Sequence, residues 1–332
     1  MPDSPRPANP RVIVTRELAD GIQDRMCELF DAKPNYSDTA FSRDDLIAAM
    51  AECDVLVPTV TDQIDAEMIA NAPSRLRLIA SFGAGVDHID LAAARARKIL
   101  VTNTPGVFTE DTADMTMGLI LSVPRRLYEG EKLMRSGKWQ GWKPSGMLGH
   151  CIGGKKLGII GMGRIGQAVA RRASGFGLSI IYHNRRQLPP AVEESLNASY
   201  AAELDDLIRE CDIISLHCPH TPETHELINA ERIAKMKPST YLINTARGDL
   251  INEDALIKAL QQEKIGGAGL DVYRREPQID PRFLDLKNTV LLPHMGSATF
   301  EGREASGERV IANIRIWADG HRPPDQVLDG WV

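Results

Sequence analysis

Short runs of aliphatic and β-branched residues alternate with amphipathic stretches along almost the whole chain. A first set of such runs lies at residues 12–15, 55–57, 76–80 and 99–102. A second set lies at residues 157–160, 179–182, 212–216, 240–243, 267–270 and 289–292. Strands that alternate with helices form parallel sheets built from right-handed βαβ units. The pattern therefore predicts an α/β protein with two doubly wound parallel sheets, the second of six strands.

The segment between the two sets breaks the alternation at residues 103–106. Thr109 is a favourable helix N-cap, and the helix that follows should be interrupted at Pro124. Residues 136–154 are rich in glycine and contain Trp139 and Trp142, which predicts a long irregular arm. A last amphipathic helix is predicted from about residue 300 to residue 317.

Composition limits the class of protein. A chain of 332 residues suggests about two domains, and a net charge of −6 gives no general attraction to nucleic acid or to an anionic membrane. Residues 1–7 lack the apolar core of a signal peptide, and no later apolar run is long enough to span a bilayer. The five cysteines include no C-x-x-C pair, so no disulfide framework is expected. We expect a cytoplasmic protein.

One stretch is dense in metal-binding residue types. Its members are Cys211, His217, Cys218, His220 and His225. Their spacings match no compact zinc motif, and neighbouring residues on a strand at 212–216 would face opposite sides of the sheet. On this spacing no metal site is predicted.

A glycine motif directly follows the run at 157–160. Its sequence is Gly161-Met162-Gly163-Arg164-Ile165-Gly166, and a helical stretch comes next. The glycines allow a tight turn and close approach of the backbone to a pyrophosphate, and the helix N-terminus offers N–H groups to the phosphates. A strand before and a helix after are the context that favours a dinucleotide-binding site over a simple turn.

The end of the next strand bears on the choice of dinucleotide. An acidic residue is expected there in an NAD enzyme, where it binds the ribose hydroxyls, but this chain has Asn184 followed by Arg185 and Arg186. A neutral amide does not repel a 2′-phosphate, and arginine can bind one through two hydrogen bonds. We therefore predict NADPH as the favoured cofactor, with NAD possible if the two arginines are only solvated surface charges.

Three segments at the ends of late strands carry an arginine, a carboxylate and a histidine. They are residues 244–248 (NTARG), 271–277 (DVYRREP) and 293–299 (PHMGSAT). Ligands of open α/β sheets bind at the carboxyl ends of the strands, so the three segments should converge. Reduction of a keto acid needs a cation for the carboxylate and an acid for the carbonyl oxygen, which Arg247 and His294 can supply.

Together these motifs resemble those of the D-isomer-specific 2-hydroxyacid dehydrogenase family, from about Val12 to Val327. Within the family the chain is most similar to the glyoxylate/hydroxypyruvate reductases, because of its tryptophan-containing arm and its Asn-Arg-Arg sequence. The resemblance implies reduction of small 2-keto acids to D-2-hydroxy acids. It implies that Arg247 binds the substrate carboxylate, that His294 donates the proton, and that Glu276 holds His294 in the required tautomer.

The resemblance also implies a set of binding residues. For the cofactor these are Gly161, Gly163, Arg164, Ile165, Gly166, Asn184, Arg185, Arg186, Cys218, Pro219, Thr224, Thr245, Ala246, Asp271, Thr112 and Gly296. For the substrate they are Phe82, Gly83, Ala84 and Gly85, whose backbone amides would help to hold the carboxylate, with Arg247 and His294. Asp271 would meet the nicotinamide carboxamide.

The domain organisation expected from the resemblance is discontinuous. Residues 1–106 and 300–332 would form a flavodoxin-like substrate domain, and residues 107–299 an NAD(P)-binding Rossmann domain. An arm at residues 127–150 would make the protein a homodimer. Two alternatives stay open: a short phosphoglycerate dehydrogenase, and a dinucleotide-sensing binding protein similar to the C-terminal binding protein corepressors, which retain the same catalytic residues.

Overall fold

The computed structural model describes residues 6–328. Residues 1–5 and 329–332, both of which were predicted to belong to the substrate domain, lie outside that range. The chain divides into two compact units: the first runs to Phe108 and resumes at Ala298, and the second runs from Thr109 to Ser297. Within residues 6–328, no helix combines the length and apolar character needed to cross a membrane.

The first unit contains a five-stranded parallel sheet. Its strands are β1 (Arg11–Val14), β2 (Asp31–Lys33), β3 (Val55–Val57), β4 (Leu78–Ala80) and β5 (Leu100–Thr102). They lie in the order β2-β1-β3-β4-β5, which is the 2-1-3-4-5 order of flavodoxin-like folds.

Helices cover this sheet. They are α1 (Asp20–Leu29), α2 (Arg43–Glu52), α3 (Ala66–Asn71), α4 (Leu91–Ala96) and the long α12 (Phe300–Ala318). One apolar cluster joins β1 to α1 and to the fully buried Trp317 of α12. A second cluster joins β1 to α2, α3 and α4. The sheet is thus buried on both faces, which explains why its central strands are continuous apolar runs.

The second unit contains a seven-stranded parallel sheet. Its strands are β6 (Lys156–Ile160), β7 (Ser179–His183), β8 (Ala198–Tyr200), β9 (Ile213–Leu216), β10 (Tyr241–Asn244), β11 (Gly267–Leu270) and β12 (Thr289–Leu291). The order β12-β11-β10-β9-β6-β7-β8 is the doubly wound 3-2-1-4-5-6 order with one added strand. It reverses between β6 and β9, which is where such sheets bind ligands.

Most helices of the second unit pack against this sheet through two apolar clusters, whereas the helix at residues 127–135 has no buried residue. The helices of this unit are α5 (Thr109–Ser122), α6 (Leu127–Arg135), α7 (Arg164–Gly175), α8 (Pro190–Leu196), α9 (Leu204–Glu210), α10 (Ala230–Lys235) and α11 (Glu253–Gln261). The interruption predicted at Pro124 is confirmed, because α5 ends at Ser122 and α6 begins at Leu127. Residues 136–155 contain neither helix nor strand, which confirms the irregular arm.

The predicted fold class is confirmed, and the predicted strands are present to within a few residues at their ends. The six-strand prediction for the second sheet was wrong, since β8 is a seventh strand, and β2 of the first sheet was also missed. Both are edge strands of three residues with partly or fully exposed side chains. A strand so short and so little buried carries no apolar alternation by which the sequence could reveal it.

Candidate active site

The glycine motif forms the turn between β6 and α7. Gly161 has a backbone φ of +98°, a conformation that a side chain would strain. A Cβ placed on Gly161 would lie 2.5 Å from the backbone nitrogen of Cys218, and one on Gly166 would collide with the carbonyl oxygen of Gly161. A Cβ on Gly163, by contrast, meets no heavy atom of the described chain within 4 Å. The motif therefore packs tightly at its first and third glycines and leaves open space at its second.

Helix α7 starts at this turn without a side-chain cap, since its N-cap residue is Gly163. Its first N–H groups and its positive dipole end are thus available to a phosphate. The cradle that Gly161 and Gly166 form, and the open space at Gly163, fit the pyrophosphate of a dinucleotide. Of the predicted ribose residues, Asn184 accepts a hydrogen bond from the Met162 amide through Oδ1 at 2.7 Å.

A second group of predicted cofactor residues gathers around the start of α5. The Thr116 hydroxyl lies 2.8 Å from that of Thr245 and donates to the carbonyl oxygen of Thr112 at 2.7 Å. A Cβ on Gly296 would lie 2.9 Å from an Asp271 oxygen and 3.6 Å from Thr112 Cγ2. Thr116 was not predicted from the sequence, because a buried hydroxyl on a helix carries no motif.

Asp271 organises the loop that carries the histidine. Its two carboxylate oxygens accept hydrogen bonds from the amides of Met295 (2.8 Å) and Gly296 (2.7 Å). Its backbone carbonyl oxygen accepts a third from the backbone amide of His294 (2.8 Å). Burial raises the pKa of Asp271, although the two amides act in the opposite direction. The predicted contact of Asp271 with a nicotinamide stays a prediction.

His294 and Glu276 form a hydrogen-bonded pair. His294 Nδ1 lies 2.5 Å from Glu276 Oε2, and the Tyr273 amide donates to Glu276 Oε1 at 2.8 Å. Both side chains are about a third exposed, at 32% and 29%. His294 has a φ of +53°, a left-handed backbone conformation that is uncommon for non-glycine residues but in which histidine is enriched.

The charge of Glu276 is stabilised where it lies. Burial by itself raises the pKa of this carboxyl, but the hydrogen bond and charge of His294, the Tyr273 amide and the charge of Arg247 outweigh it and lower the pKa below its usual range. Glu276 is therefore ionised at neutral pH and acts as an acceptor for Nδ1–H. That hydrogen bond leaves Nε2 as the ring nitrogen that can exchange a proton with a substrate.

Arg247 belongs to the turn that follows β10. Asn244 fixes this turn, because its side chain donates to the Arg247 carbonyl oxygen (2.8 Å) and accepts from the Ala246 amide (3.0 Å). A Cβ on Gly248 would collide with the backbone of Tyr273 and Arg274. The arginine turn is thus in backbone contact with the segment that carries Glu276, so Arg247, Glu276 and His294 converge at one edge of the sheet.

The predicted substrate residues of the first unit form a turn after β4. The carbonyl oxygen of Gly83 accepts from the Thr104 amide at 2.9 Å, and that of Ala84 accepts from the Asn103 side chain at 2.7 Å. Within residues 6–328, no backbone carbonyl oxygen accepts from the amides of Gly83, Ala84 and Gly85. Phe82 is buried, and the guanidinium of Arg303 lies over its ring. The turn thus presents N–H groups of the kind that bind anions.

Comparison with known proteins supports this description. The family model for the NAD binding domain of D-isomer specific 2-hydroxyacid dehydrogenases matches residues 117–296. A glyoxylate reductase of Thermococcus litoralis is 45% identical over 324 residues, which cover 96% of each chain.

Solved structures agree over nearly the whole chain. The TT0316 protein of Thermus thermophilus has a TM-score of 0.88 at 43% identity and covers 96% of this chain and 100% of its own. The NADPH-dependent glyoxylate/hydroxypyruvate reductase SmGhrB of Sinorhizobium meliloti, solved with NADP and malonate, has a TM-score of 0.84 at 32% identity. The match covers 96% of this chain and 97% of that one.

Proposed function

Because the chain belongs to the D-isomer-specific 2-hydroxyacid dehydrogenase family, we propose that it reduces glyoxylate or hydroxypyruvate to the D-2-hydroxy acid with NADPH. The observation that carries the proposal is the pair of His294 and Glu276 beside Arg247, at the carboxyl edge of a sheet with a dinucleotide-binding turn. A chain 45% identical and a structure solved with NADP bear the names of such reductases.

Each residue of the site has a separate role in the proposed reaction. A bound nicotinamide dinucleotide supplies the hydride. Arg247 binds the keto-acid carboxylate and orients the carbonyl group, and His294 donates a proton from Nε2 to the carbonyl oxygen. Glu276 keeps Nδ1 protonated and stabilises the imidazolium before the proton is transferred. In the first unit, the amides of residues 83–85 are proposed to bind a carboxylate.

The test is an initial-rate assay on the purified protein with NADPH or NADH and four acids: glyoxylate, hydroxypyruvate, pyruvate and 3-phosphohydroxypyruvate. We expect fast turnover of the first two with NADPH. Preference for the phosphorylated acid would instead identify a phosphoglycerate dehydrogenase. Dinucleotide binding without appreciable turnover of any acid would favour a sensor over an enzyme.

The cofactor preference is proposed to depend on Asn184, Arg185 and Arg186. Asn184→Asp is expected to shift the ratio of kcat/KM for NADPH over NADH at least tenfold toward NADH, because a carboxylate repels a 2′-phosphate and binds ribose hydroxyls. Aspartate can still accept from the Met162 amide, so the glycine turn should be retained. A matched Arg186→Ala variant should lose NADPH affinity without gaining NADH activity. An unchanged ratio in both variants would contradict the proposal.

The arm is proposed to form the contact of a homodimer. It leaves large apolar side chains exposed, with Trp142 81% and Leu148 66% accessible, which is unusual for a monomer. We expect light scattering to give the mass of a dimer. The double substitution Trp142→Lys with Leu148→Lys should raise the dissociation constant of that dimer at least tenfold. Leu284→Lys, at a residue 64% accessible outside the arm, is the control and should leave the mass unchanged. A monomeric wild-type protein would refute this assignment.

A further inference from the structure

Two histidines and an aspartate outside the proposed catalytic group meet at one point of the second unit. One ligand atom each of His220, His225 and Asp249 lies within 4.8 Å of the others. We propose that these three side chains bind a divalent transition-metal ion of the Zn²⁺ class. The proposal does not depend on the reaction proposed above.

The spacing of the two imidazoles suits such an ion. His220 Nε2 and His225 Nδ1 are 3.3 Å apart, and the rings are tilted at 55° rather than stacked. In a tetrahedral zinc site with Zn–N bonds of about 2.0–2.1 Å, two ligand nitrogens lie about 3.3 Å apart. The two nitrogens therefore have the separation that a shared Zn²⁺ requires, although without metal they can share a hydrogen bond.

The segment that carries both histidines is held in a fixed turn. The Thr224 hydroxyl donates to the carbonyl oxygen of Pro219 and accepts from the Thr221 amide, both at 2.7 Å. The His225 amide in turn donates to the Thr221 carbonyl oxygen at 2.9 Å. These bonds bring residues five positions apart together, so the imidazoles need little rearrangement to bind an ion.

The carboxylate ligand comes from a distant part of the sequence that is bonded to the same segment. Asp249 lies in the 3₁₀ turn Gly248–Leu250, and its carbonyl oxygen accepts from the Glu226 amide at 2.7 Å. The Ile228 amide donates to the carbonyl oxygen of Leu250 at 2.9 Å. Two hydrogen bonds thus fix the distance between the histidine segment and the aspartate.

The two cysteines and the third histidine of the same stretch make other contacts and are not part of this cluster. Cys211 is fully buried in an apolar cluster, and burial raises the pKa of its thiol to about 12. The backbone of Cys218 packs directly against Gly161, which places this residue in the glycine turn. His217 pairs with Ser215, and burial lowers the pKa of this imidazole to about 3. The ligand set is therefore two histidines and one carboxylate.

Three protein ligands leave at least one coordination position to water, whereas structural zinc sites are closed by four protein ligands. The guanidinium of Arg274 lies close to the proposed carboxylate ligand, with its Nε 3.8 Å from Asp249 Oδ1. Its NH1 group pairs with Glu226 at 3.2 Å. A metal ion next to Asp249 must share that carboxylate with a guanidinium. Removing the guanidinium should therefore strengthen metal binding.

The experiment is a Zn²⁺ titration against a chromophoric chelator, on protein whose exposed thiols are removed by Cys27→Ser and Cys151→Ser. We expect one equivalent of Zn²⁺ per chain. His225→Ala and Asp249→Asn should each weaken binding at least tenfold, and Arg274→Gln should tighten it severalfold. His321→Ala, which removes an exposed histidine elsewhere, should change nothing.

Co²⁺ provides a second readout, because its visible absorption distinguishes four-coordinate from six-coordinate binding. We expect the intense four-coordinate spectrum, lost in His225→Ala. If Asp249→Asn fails to fold, His225→Ala decides the result, since the His225 side chain is exposed. No stoichiometric binding, or equal affinity in His225→Ala and the parent, would show that the cluster is only a hydrogen-bonded surface pair.

Discussion

Replacing His294 with asparagine is expected to lower kcat for glyoxylate reduction by about 10²–10⁴-fold, the usual contribution of a general acid. Asparagine tolerates the left-handed backbone that this position requires, with its φ of +53°, so the loop should keep its form. It has no proton to give the carbonyl oxygen at neutral pH. Steady-state rates, together with NADPH binding followed by fluorescence, separate loss of the proton donor from loss of the fold.

Glu276→Gln is the matched variant for this test. Glutamine can accept from Nδ1 but carries no charge, so the imidazolium loses the negative charge beside it. We expect a smaller fall in kcat, and the loss of rate that protonation of Glu276 causes at acidic pH should be absent, because glutamine does not titrate. Because its neighbours lower the pKa of Glu276, the ionised carboxylate persists to more acidic pH than in an ordinary glutamate, and the acidic limb of the parent enzyme should lie correspondingly low. A His294→Asn enzyme with nearly full kcat would refute the assignment of the proton donor.

The second large effect is expected at the glycine turn. Gly161→Ala should reduce the free energy of unfolding by about 2–4 kcal/mol, from a strained positive φ and a clash with the backbone of Cys218. For a domain of this size that corresponds to a melting temperature lower by roughly 5–15 °C. Thermal unfolding without cofactor measures it directly.

Gly163→Ala is the control, because its φ of −78° suits any residue and its Cβ meets no heavy atom of the described chain within 4 Å. We expect nearly unchanged stability but a KM for NADPH raised at least tenfold, since the added methyl group occupies space proposed for the pyrophosphate. If Gly163→Ala left NADPH binding intact, the turn would not be the phosphate site. If it destabilised the protein as much as Gly161→Ala, the two glycines would share a packing role.

The elements predicted well from the sequence are those whose residues are buried along the whole element, because such burial is visible as a run of apolar residues. Strand β3 is buried along its whole length and is an apolar run, and β9 is equally buried and apolar apart from Ser215. The edge strands β2 and β8 were missed because pairing with one neighbour, rather than burial, defines them. Pairing of that kind depends on residues distant in sequence, which local periodicity does not report.

The same distinction between local and long-range information applies to the residues of the candidate site. The motifs around Arg247, Glu276 and His294 were visible because each is a local sequence, and the fold brings them together as a parallel sheet requires. The contact of Thr116 with Thr245 and the meeting of Asp249 with two histidines were not visible. Each joins segments separated by tens of residues, so only the tertiary structure contains the information.

Gly248 lies directly against the backbone of Tyr273 and Arg274. The guanidinium of Arg247 and the carboxylate of Glu276 are mounted on two segments that touch without an intervening side chain, so neither can be moved alone. A lineage selected for a new substrate would therefore keep this pair as an inherited unit. Its adaptive changes would accumulate at positions outside that contact, and directed evolution libraries should be placed there.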